Sequence, residues 1–117
     1  MKVITAIIRP EKLDELIAVV IDNRGHGLTA SEVRGFGRQF GEPVGAAEDV
    51  GLPRSRRAAL LPKVRLDVLV HDDEAEAMVQ AIAKRARTET IGDGKIWVTP
   101  VDSAMRVRTG ERDDKAV

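Results

Sequence analysis

Apolar residues recur at helical spacing in two segments of the chain. They occupy positions 13, 16, 17, 20 and 21 in the first segment, and positions 75, 78, 79, 82, 83 and 86 in the second. Steps of three and four residues place such side chains on one face of an α-helix. Pro10 suits the start of the first helix and Gly25 its end, while Asp72 and Asp73 are candidates to cap the start of the second. The pattern therefore predicts two amphipathic helices, each packed through one face.

Strand-like runs flank both predicted helices. They cover residues 3–8, 28–36, 64–70 and 96–101, and in the third run apolar residues alternate with charged ones. The resulting order is β-α-β followed by β-α-β. Because crossovers are right-handed and each helix must cover the sheet, this order favours an α+β, ferredoxin-like sandwich with a four-stranded antiparallel sheet. A length of 117 residues fits one domain, residues 1–117.

The sheet face away from the helices is expected to carry several apolar side chains. Its residues would be Thr5, Ile7, Leu69, Trp97 and Thr99. The chain has only three aromatic residues, so its core must be aliphatic and its stability modest. An apolar outer face together with a small core predicts an oligomer.

Two segments lack periodicity. Residues 37–62 are rich in glycine and proline, and a connection of this length in a small domain is usually either functional or disordered. Residues 111–117 are highly charged, so we expect this C-terminal tail to fray.

Composition excludes several classes of protein. Basic and acidic residues balance at 19 each, which argues against general nucleic-acid binding. With no cysteine there is no disulfide, thiolate metal site or cysteine nucleophile. No apolar run approaches the roughly 20 residues of a membrane span, so a cytoplasmic protein is expected. His26 and His71 lack a metal-ligand spacing, and both are interpreted as surface residues.

The best candidate for ligand binding is the turn formed by residues 92–95, Gly-Asp-Gly-Lys. Two residues without a Cβ let backbone amides approach an anion, and the lysine adds a positive charge. An ordinary helix-to-strand connection remains the alternative. Residues 35–39, Lys63, and the arginines Arg106 and Arg108 could hold phosphate or carboxylate groups, or could be solvated surface residues. No catalytic nucleophile is evident, so an enzyme is not expected.

Taken together, these runs resemble the PII signal-transduction proteins. The matching runs are Ala6-Ile7-Ile8-Arg9-Pro10, Gly35-Phe36-Gly37-Arg38-Gln39, Leu61-Pro62-Lys63-Val64, Thr88 followed by Ile91-Gly92-Asp93-Gly94-Lys95-Ile96-Trp97-Val98, and Arg106-Val107-Arg108-Thr109-Gly110-Glu111. They occur in family order across nearly the whole chain.

The resemblance implies a homotrimer that binds ATP or ADP competitively in clefts between subunits. The residues carried over to the nucleotide are Ile7, Gly35, Gly37, Arg38, Gln39, Val64, Thr88, Gly92, Asp93, Gly94, Lys95, Arg106 and Arg108, with the last two reaching from the neighbouring subunit. In the family, Gln39 also helps to hold Mg²⁺, which 2-oxoglutarate chelates. The residues carried over to this effector are Gln39, Phe40, Gly41 and Lys63.

The resemblance also implies an output element, the T-loop, at about residues 37–62. It would dock on a nitrogen-metabolism protein or an ammonium transporter, with the membrane reached only through such a transporter. This loop departs from the family in length, since it is several residues longer. The chain also has no tyrosine to be uridylylated. Ala47 stands at the position of the arginine that typical members insert into the ammonium channel. A variant that controls another transporter or bicarbonate metabolism is the alternative, and slow nucleotide hydrolysis is a third possibility.

Overall fold

The computed structural model describes residues 1–37 and 60–117, which form one four-stranded sheet and two helices. The elements are β1 (Lys2–Ile8), a 3₁₀ turn (Pro10–Lys12), α1 (Leu13–Asp22), β2 (Thr29–Gly35), β3 (Leu61–Val70), a 3₁₀ turn (Asp72–Glu74), α2 (Ala75–Ala86), β4 (Lys95–Pro100) and a 3₁₀ turn (Asp113–Ala116). Every strand pair is antiparallel, in the order β2-β3-β1-β4. The predicted ferredoxin-like order is confirmed.

The core lies between the helices and one face of the sheet. Alternate residues of β1 and β3 point into it because strand side chains alternate between faces. The helices add most of the residues predicted from their periodicity, but Ile21 is 66% exposed and so lies off the predicted face of the first helix, and no core side chain in the described ranges is aromatic. The buried strand residues are Ile4, Ala6, Ile8, Val64, Leu66, Val68 and Val70, and the helices contribute Leu16, Val20, Ala75, Met78, Ile82 and Ala86. Each large side chain buried in this way contributes about 1.5–3 kcal/mol before the entropy of ordering is subtracted.

The opposite face of the sheet is more polar than predicted. Thr5 is buried there, and its Oγ1 donates a hydrogen bond of 2.7 Å to Oδ1 of Asp67 on β3. Arg65 Nε donates to the second carboxylate oxygen at 3.0 Å. Burial raises the pKa of Asp67, but the hydrogen bonds from Arg65 and Thr5 outweigh burial and lower it. Trp97 is 41% exposed on this face, so an apolar area remains beside the polar network.

The first helix ends with a Schellman arrangement. Arg24 has the left-handed φ of 62°, and the amide of Gly25 donates to the carbonyl of Val20 at 2.8 Å. Gly25 thus ends the helix as predicted, but the residue before it adopts the left-handed conformation. A Cβ at Gly25 would lie 2.5 Å from the Val20 carbonyl oxygen, which explains the glycine.

The second helix begins without the predicted side-chain caps. Neither Asp72 nor Asp73 caps the 3₁₀ turn or α2 with its side chain. Asp72 instead accepts a 2.8 Å hydrogen bond from the amino group of Met1. That hydrogen bond lowers the pKa of the exposed Asp72 carboxyl.

The C-terminal tail is folded back, so the expectation that it frays is wrong. Met105 pairs with Arg112, and the amide of Arg106 donates to the carbonyl of Glu111 at 2.9 Å. The tail ends in a 3₁₀ turn and the side chain of Val117, which is only 9% exposed. Backbone pairing and this apolar contact outweigh the charge of the segment.

The strand after the predicted loop begins earlier than expected. Leu61 and Pro62 already pair with the end of β2, so β3 takes over the last residues of the predicted 37–62 segment. No helix within the described ranges is long and apolar enough to cross a membrane.

Candidate functional site

The turn before β4 packs closely against β1. Its glycines, Gly92 and Gly94, have φ values of 102° and 105°, a region that residues with a Cβ rarely adopt. A Cβ at Gly94 would overlap the carbonyl oxygen of Ile7. A Cβ at Gly92 would lie 3.1 Å from Nη2 of Arg9. Both glycines are therefore required by their conformation and by the close approach of the turn to Ile7 and Arg9.

The carboxylate of Asp93 organises this turn from inside. Its Oδ2 accepts hydrogen bonds from the backbone amides of Thr88 and Glu89, at 2.7 and 2.9 Å. Its Oδ1 accepts from the hydroxyl of Thr88 and, at 3.1 Å, from Nε of Arg9. Burial raises the pKa of Asp93, but these hydrogen bonds outweigh burial and hold it far below the ordinary value. Asp93 is thus ionised, and its carboxylate is fully engaged in hydrogen bonds that stabilise the turn.

Arg9 lies in one of the matching sequence runs, but it was not predicted as a residue of this site. Besides its bond to Asp93, its Nη2 donates to the hydroxyl of Thr90 at 2.9 Å and to the carbonyl of Ile91 at 2.7 Å. A signal for it exists in the sheet register. Ile7 pairs with Lys95 across β1 and β4, so continuing that register places residue 9 opposite residue 93. Finding Arg9 therefore requires the strand pairing, not the local sequence.

Lys63 joins the turn from β3. Its Nζ donates a 2.5 Å hydrogen bond to the carbonyl of Gly92. Burial and the charge of Arg9 lower the pKa of Lys63, while Glu11 and Asp93 act in the opposite direction. The lysine predicted to meet an effector carboxylate thus lies directly beside the turn predicted to meet phosphate.

Two cavities adjoin this cluster. One, of about 320 Å³, lies between the C-terminal end of α2 and the start of β4, and Ile7, Asp93, Gly94 and Lys95 line it. The other, of about 420 Å³, is lined by Lys63 and Val64 together with parts of β2. The structure therefore brings these predicted nucleotide-site residues to one end of the sheet. The side chain of Val64 itself faces the core.

The predicted residues at the end of β2 are only partly described. Gly35 is the last residue of β2 and pairs with Leu61, and Gly37 is exposed two positions later. Several predicted positions lie outside the described residues. They are Arg38, Gln39, Phe40, Gly41 and Ala47. The predicted Mg²⁺ ligand and most of the predicted effector residues belong to this group.

The two C-terminal arginines make no hydrogen bond or ion pair with the turn of their own chain. Arg106 Nη1 donates to Glu111 at 3.1 Å, and its Nη2 donates to the carbonyl of Val117 at 3.4 Å. Arg108 is exposed and makes no hydrogen bond or ion pair with any residue of the described ranges. A single chain thus presents Arg108 to its surroundings, free to meet an anionic group.

Sequence reasoning also missed a contact between the two histidines. His26 and His71 are far apart in sequence, yet their ring centroids lie 5.8 Å apart in an edge-to-face arrangement. His26 is exposed, as expected for a surface residue, whereas His71 is only partly exposed, and the fold places their two rings in contact. This pair lies outside the turn cluster.

The family of the chain follows from comparison with known proteins. A family model described as nitrogen regulatory protein P-II matches residues 1–111. The chain belongs to the PII family. It is 46% identical to the nitrogen regulatory protein P-II of Cereibacter sphaeroides and 41% identical to that of Synechocystis sp., and each alignment covers all of both chains. It is 44% identical to nitrogen regulatory protein P-II 2 of Methanothermobacter thermautotrophicus, over the whole chain and 97% of that protein.

Membership of the PII family makes this chain a relative of regulatory proteins. The site fits a binding role, because its glycines expose backbone and its cations lie at a well-anchored turn. The Asp93 carboxylate at the centre of the cluster is held ionised by its donors. An ionised carboxylate in this position serves to hold the turn in place.

Proposed function

We propose that this PII-family chain is a signal-transduction regulator that binds ATP or ADP competitively and passes that state to a target protein through its T-loop. The observation that carries the proposal is the turn at Gly92 and Gly94, whose exposed backbone adjoins Lys95 and Lys63. Backbone amides at a glycine turn, with ammonium groups beside them, suit the oxygens of a polyphosphate.

The proposed nucleotide cleft lies between subunits of a homotrimer. Arg106 and Arg108 do not contact the turn of their own chain, so a site that uses all these cations takes the arginines from a neighbour. The exposed Trp97 and Val98 on the edge strand β4 give the chain apolar surface to bury in such an assembly. Arg108 would add a bidentate donor to the phosphates.

Effector sensing would act through Lys63. In the structure its ammonium is held by the carbonyl of Gly92. We infer that 2-oxoglutarate, bound to Mg²⁺ and ATP near Gln39, offers a carboxylate that replaces this carbonyl. The exchange would couple the phosphate turn to the start of β3 and so to the T-loop. A ligand shifts a loop equilibrium only as far as its affinities for the two loop states differ.

The last part of the proposal concerns the protein on which the T-loop docks. Nitrogen regulation through an enzyme or an ammonium transporter is the main candidate, since the named relatives are nitrogen regulatory proteins. The chain has no tyrosine, which removes tyrosine uridylylation as its control. Ala47 at the position of the usual channel-blocking arginine favours a different transporter, such as one for bicarbonate, as the second candidate.

Calorimetry tests the proposal directly. The full chain is titrated with ATP and with ADP, each with and without Mg²⁺ and 2-oxoglutarate. We expect saturable binding of both nucleotides, competition between them, and an effect of 2-oxoglutarate only when ATP and Mg²⁺ are present. Absence of nucleotide binding would refute the proposal, whereas steady phosphate release from ATP would favour an enzyme.

A further inference from the structure

A cluster of metal-binding side chains lies where two connecting segments of the chain meet. His26 comes from the loop between α1 and β2, His71 follows β3 directly, and Glu74 ends the 3₁₀ turn before α2. One donor atom from each of the three side chains lies within 4.8 Å of the other two. His71 and Glu74 are three residues apart in the connection between β3 and α2, and the fold brings His26 to them from a distant part of the sequence.

Glu74 gives the cluster an independent reason to hold a cation. Its Oε2 is buried, and it is the one buried side-chain oxygen or nitrogen without a hydrogen-bond partner in the described part of the chain. A buried carboxylate oxygen without a donor is costly, and such an atom in a native protein calls for an explanation. A metal ion bound by the imidazoles would supply the missing positive charge.

A fourth residue supports the cluster from the C-terminal tail. Oδ1 of Asp114 lies 3.5 Å from Nδ1 of His71. A carboxylate beside one nitrogen of a metal-bound imidazole fixes the orientation of the ring and raises the basicity of the other nitrogen. The folded tail thereby places Asp114 where an outer carboxylate of a histidine–metal site belongs.

We propose that His26, His71 and Glu74 bind a divalent transition metal of the zinc class. Two imidazoles and a carboxylate suit Zn²⁺, Co²⁺ or Ni²⁺, whereas Mg²⁺ and Ca²⁺ prefer all-oxygen sites. Tetrahedral zinc with bonds near 2.0–2.1 Å needs donors roughly 3.3 Å apart, so donor atoms that lie within 4.8 Å of one another must close by at most about 1.5 Å. Three protein ligands leave a fourth position for water.

The site is separate from the proposed nucleotide cleft. It shares no residue with the turn at Gly92 and Gly94, nor with Lys63. A metal here would join the loop after α1, the end of β3 and the start of α2, with Asp114 linking the tail. The expected consequence is resistance to unfolding, because a ligand that binds only the folded chain stabilises it by mass action.

Cobalt absorption and zinc calorimetry on the tag-free, full-length chain test the proposal. The chain has two histidines and no cysteine, so imidazole-ligated Co²⁺ can arise only at this cluster. We expect one Co²⁺ per chain with the visible spectrum of a four-coordinate site, displaced by Zn²⁺. The substitutions His26→Ala and His71→Ala should abolish that spectrum, and Asp114→Asn should weaken zinc binding about 10- to 100-fold.

The substitution Glu74→Gln distinguishes a metal-binding role of Glu74 from a purely structural role. Without metal, this variant should unfold at the same temperature as the parent or higher, because an unpaired buried charge is removed. With Zn²⁺, it should lose most of the metal-dependent rise in the unfolding temperature. The matched control is Glu76→Gln, an exposed acid in the first turn of α2 whose carboxylate accepts a hydrogen bond from Gln80, and it should behave as the parent.

Three results would overturn the proposal. The first is absence of saturable Co²⁺ or Zn²⁺ binding. The second is binding that survives both histidine substitutions. The third is a Glu74→Gln variant that is destabilised without metal yet keeps its full zinc response.

Discussion

Removing the negative charge of Asp93 should loosen the nucleotide turn by a predictable amount. Asp93→Asn can keep its one carbonyl oxygen for the amides of Thr88 and Glu89, and it then places an NH₂ group, itself a donor, opposite Nε of Arg9. The charge-assisted hydrogen bond to Arg9 is thereby lost. The two side chains are 25% and 22% exposed, so solvent screens their interaction only in part.

The expected cost is about 1.5–3 kcal/mol in the free energy of unfolding, the usual worth of a hydrogen bond to a charged group. It depends on pH. The folded-state pKa of Asp93 lies below that of the unfolded chain, about 3.9. The stabilisation is therefore complete above about pH 5 and declines as the pH falls below 4, where the unfolded chain takes up protons first.

Urea unfolding at one fixed chain concentration, measured from pH 7 down to pH 3, gives both quantities. Asp102→Asn is the matched control, an exposed aspartate that makes no hydrogen bond or ion pair within the described ranges, and it should change little. In an Arg9→Met background, Asp93→Asn should cost less, because the charge partner is already gone. A cost below about 0.5 kcal/mol at pH 7, or one that stays constant to pH 3, would refute this role for Asp93.

Three further substitutions probe the turn, the core and the effector lysine. Gly94→Ala should destabilise the chain by more than about 3 kcal/mol in urea unfolding, since a Cβ collides with the backbone of β1, whereas Gly27→Ala meets nothing within 4 Å and should be tolerated. Met78→Ala, at a core residue only 1% exposed, should cost about 2–5 kcal/mol in the same assay. Lys63→Met should remove any calorimetric effect of 2-oxoglutarate while ATP still binds. The control Lys84→Met, on the exposed face of α2, should leave ATP binding and the 2-oxoglutarate effect unchanged. Loss of both in the control would contradict the effector role of Lys63.

The sequence predicted the elements of the fold better than their ends. Periodicities of two and 3.6 residues reflect which side chains are buried, so all four strands and both helices were found. Helix ends depend on single hydrogen bonds. The Schellman bond from Gly25 to Val20 puts Arg24 into the left-handed region, and the Met1 amine draws Asp72 away from capping. The ordered tail carries no periodic signal, because one bridge and one buried terminal side chain hold it.

The candidate site was predictable only where its residues follow one another in sequence. The glycines around Asp93 could be recognised because their chemistry is local. Arg9 and Lys63 enter from other strands, so their contacts with the turn require the register of the sheet. The cluster of His26, His71 and Glu74 has no complete signal in the local sequence, since it depends on how the connection after α1 meets the connection after β3.

We propose that each nucleotide site combines the turn of one subunit with Arg108 of the next subunit. Lys95→Ala and Arg108→Ala should each weaken ATP binding, the latter by about 1.5–3 kcal/mol for a lost charge-assisted hydrogen bond. The decisive measurement is calorimetric titration with ATP of trimers assembled from a co-expressed mixture of the two variants. In a closed ring, every mixed trimer contains a cleft with an intact turn on one side and an intact arginine on the other. We therefore predict that the mixture regains a fraction of sites with parental affinity. A mixture that binds ATP no more tightly than either variant alone would contradict the claim.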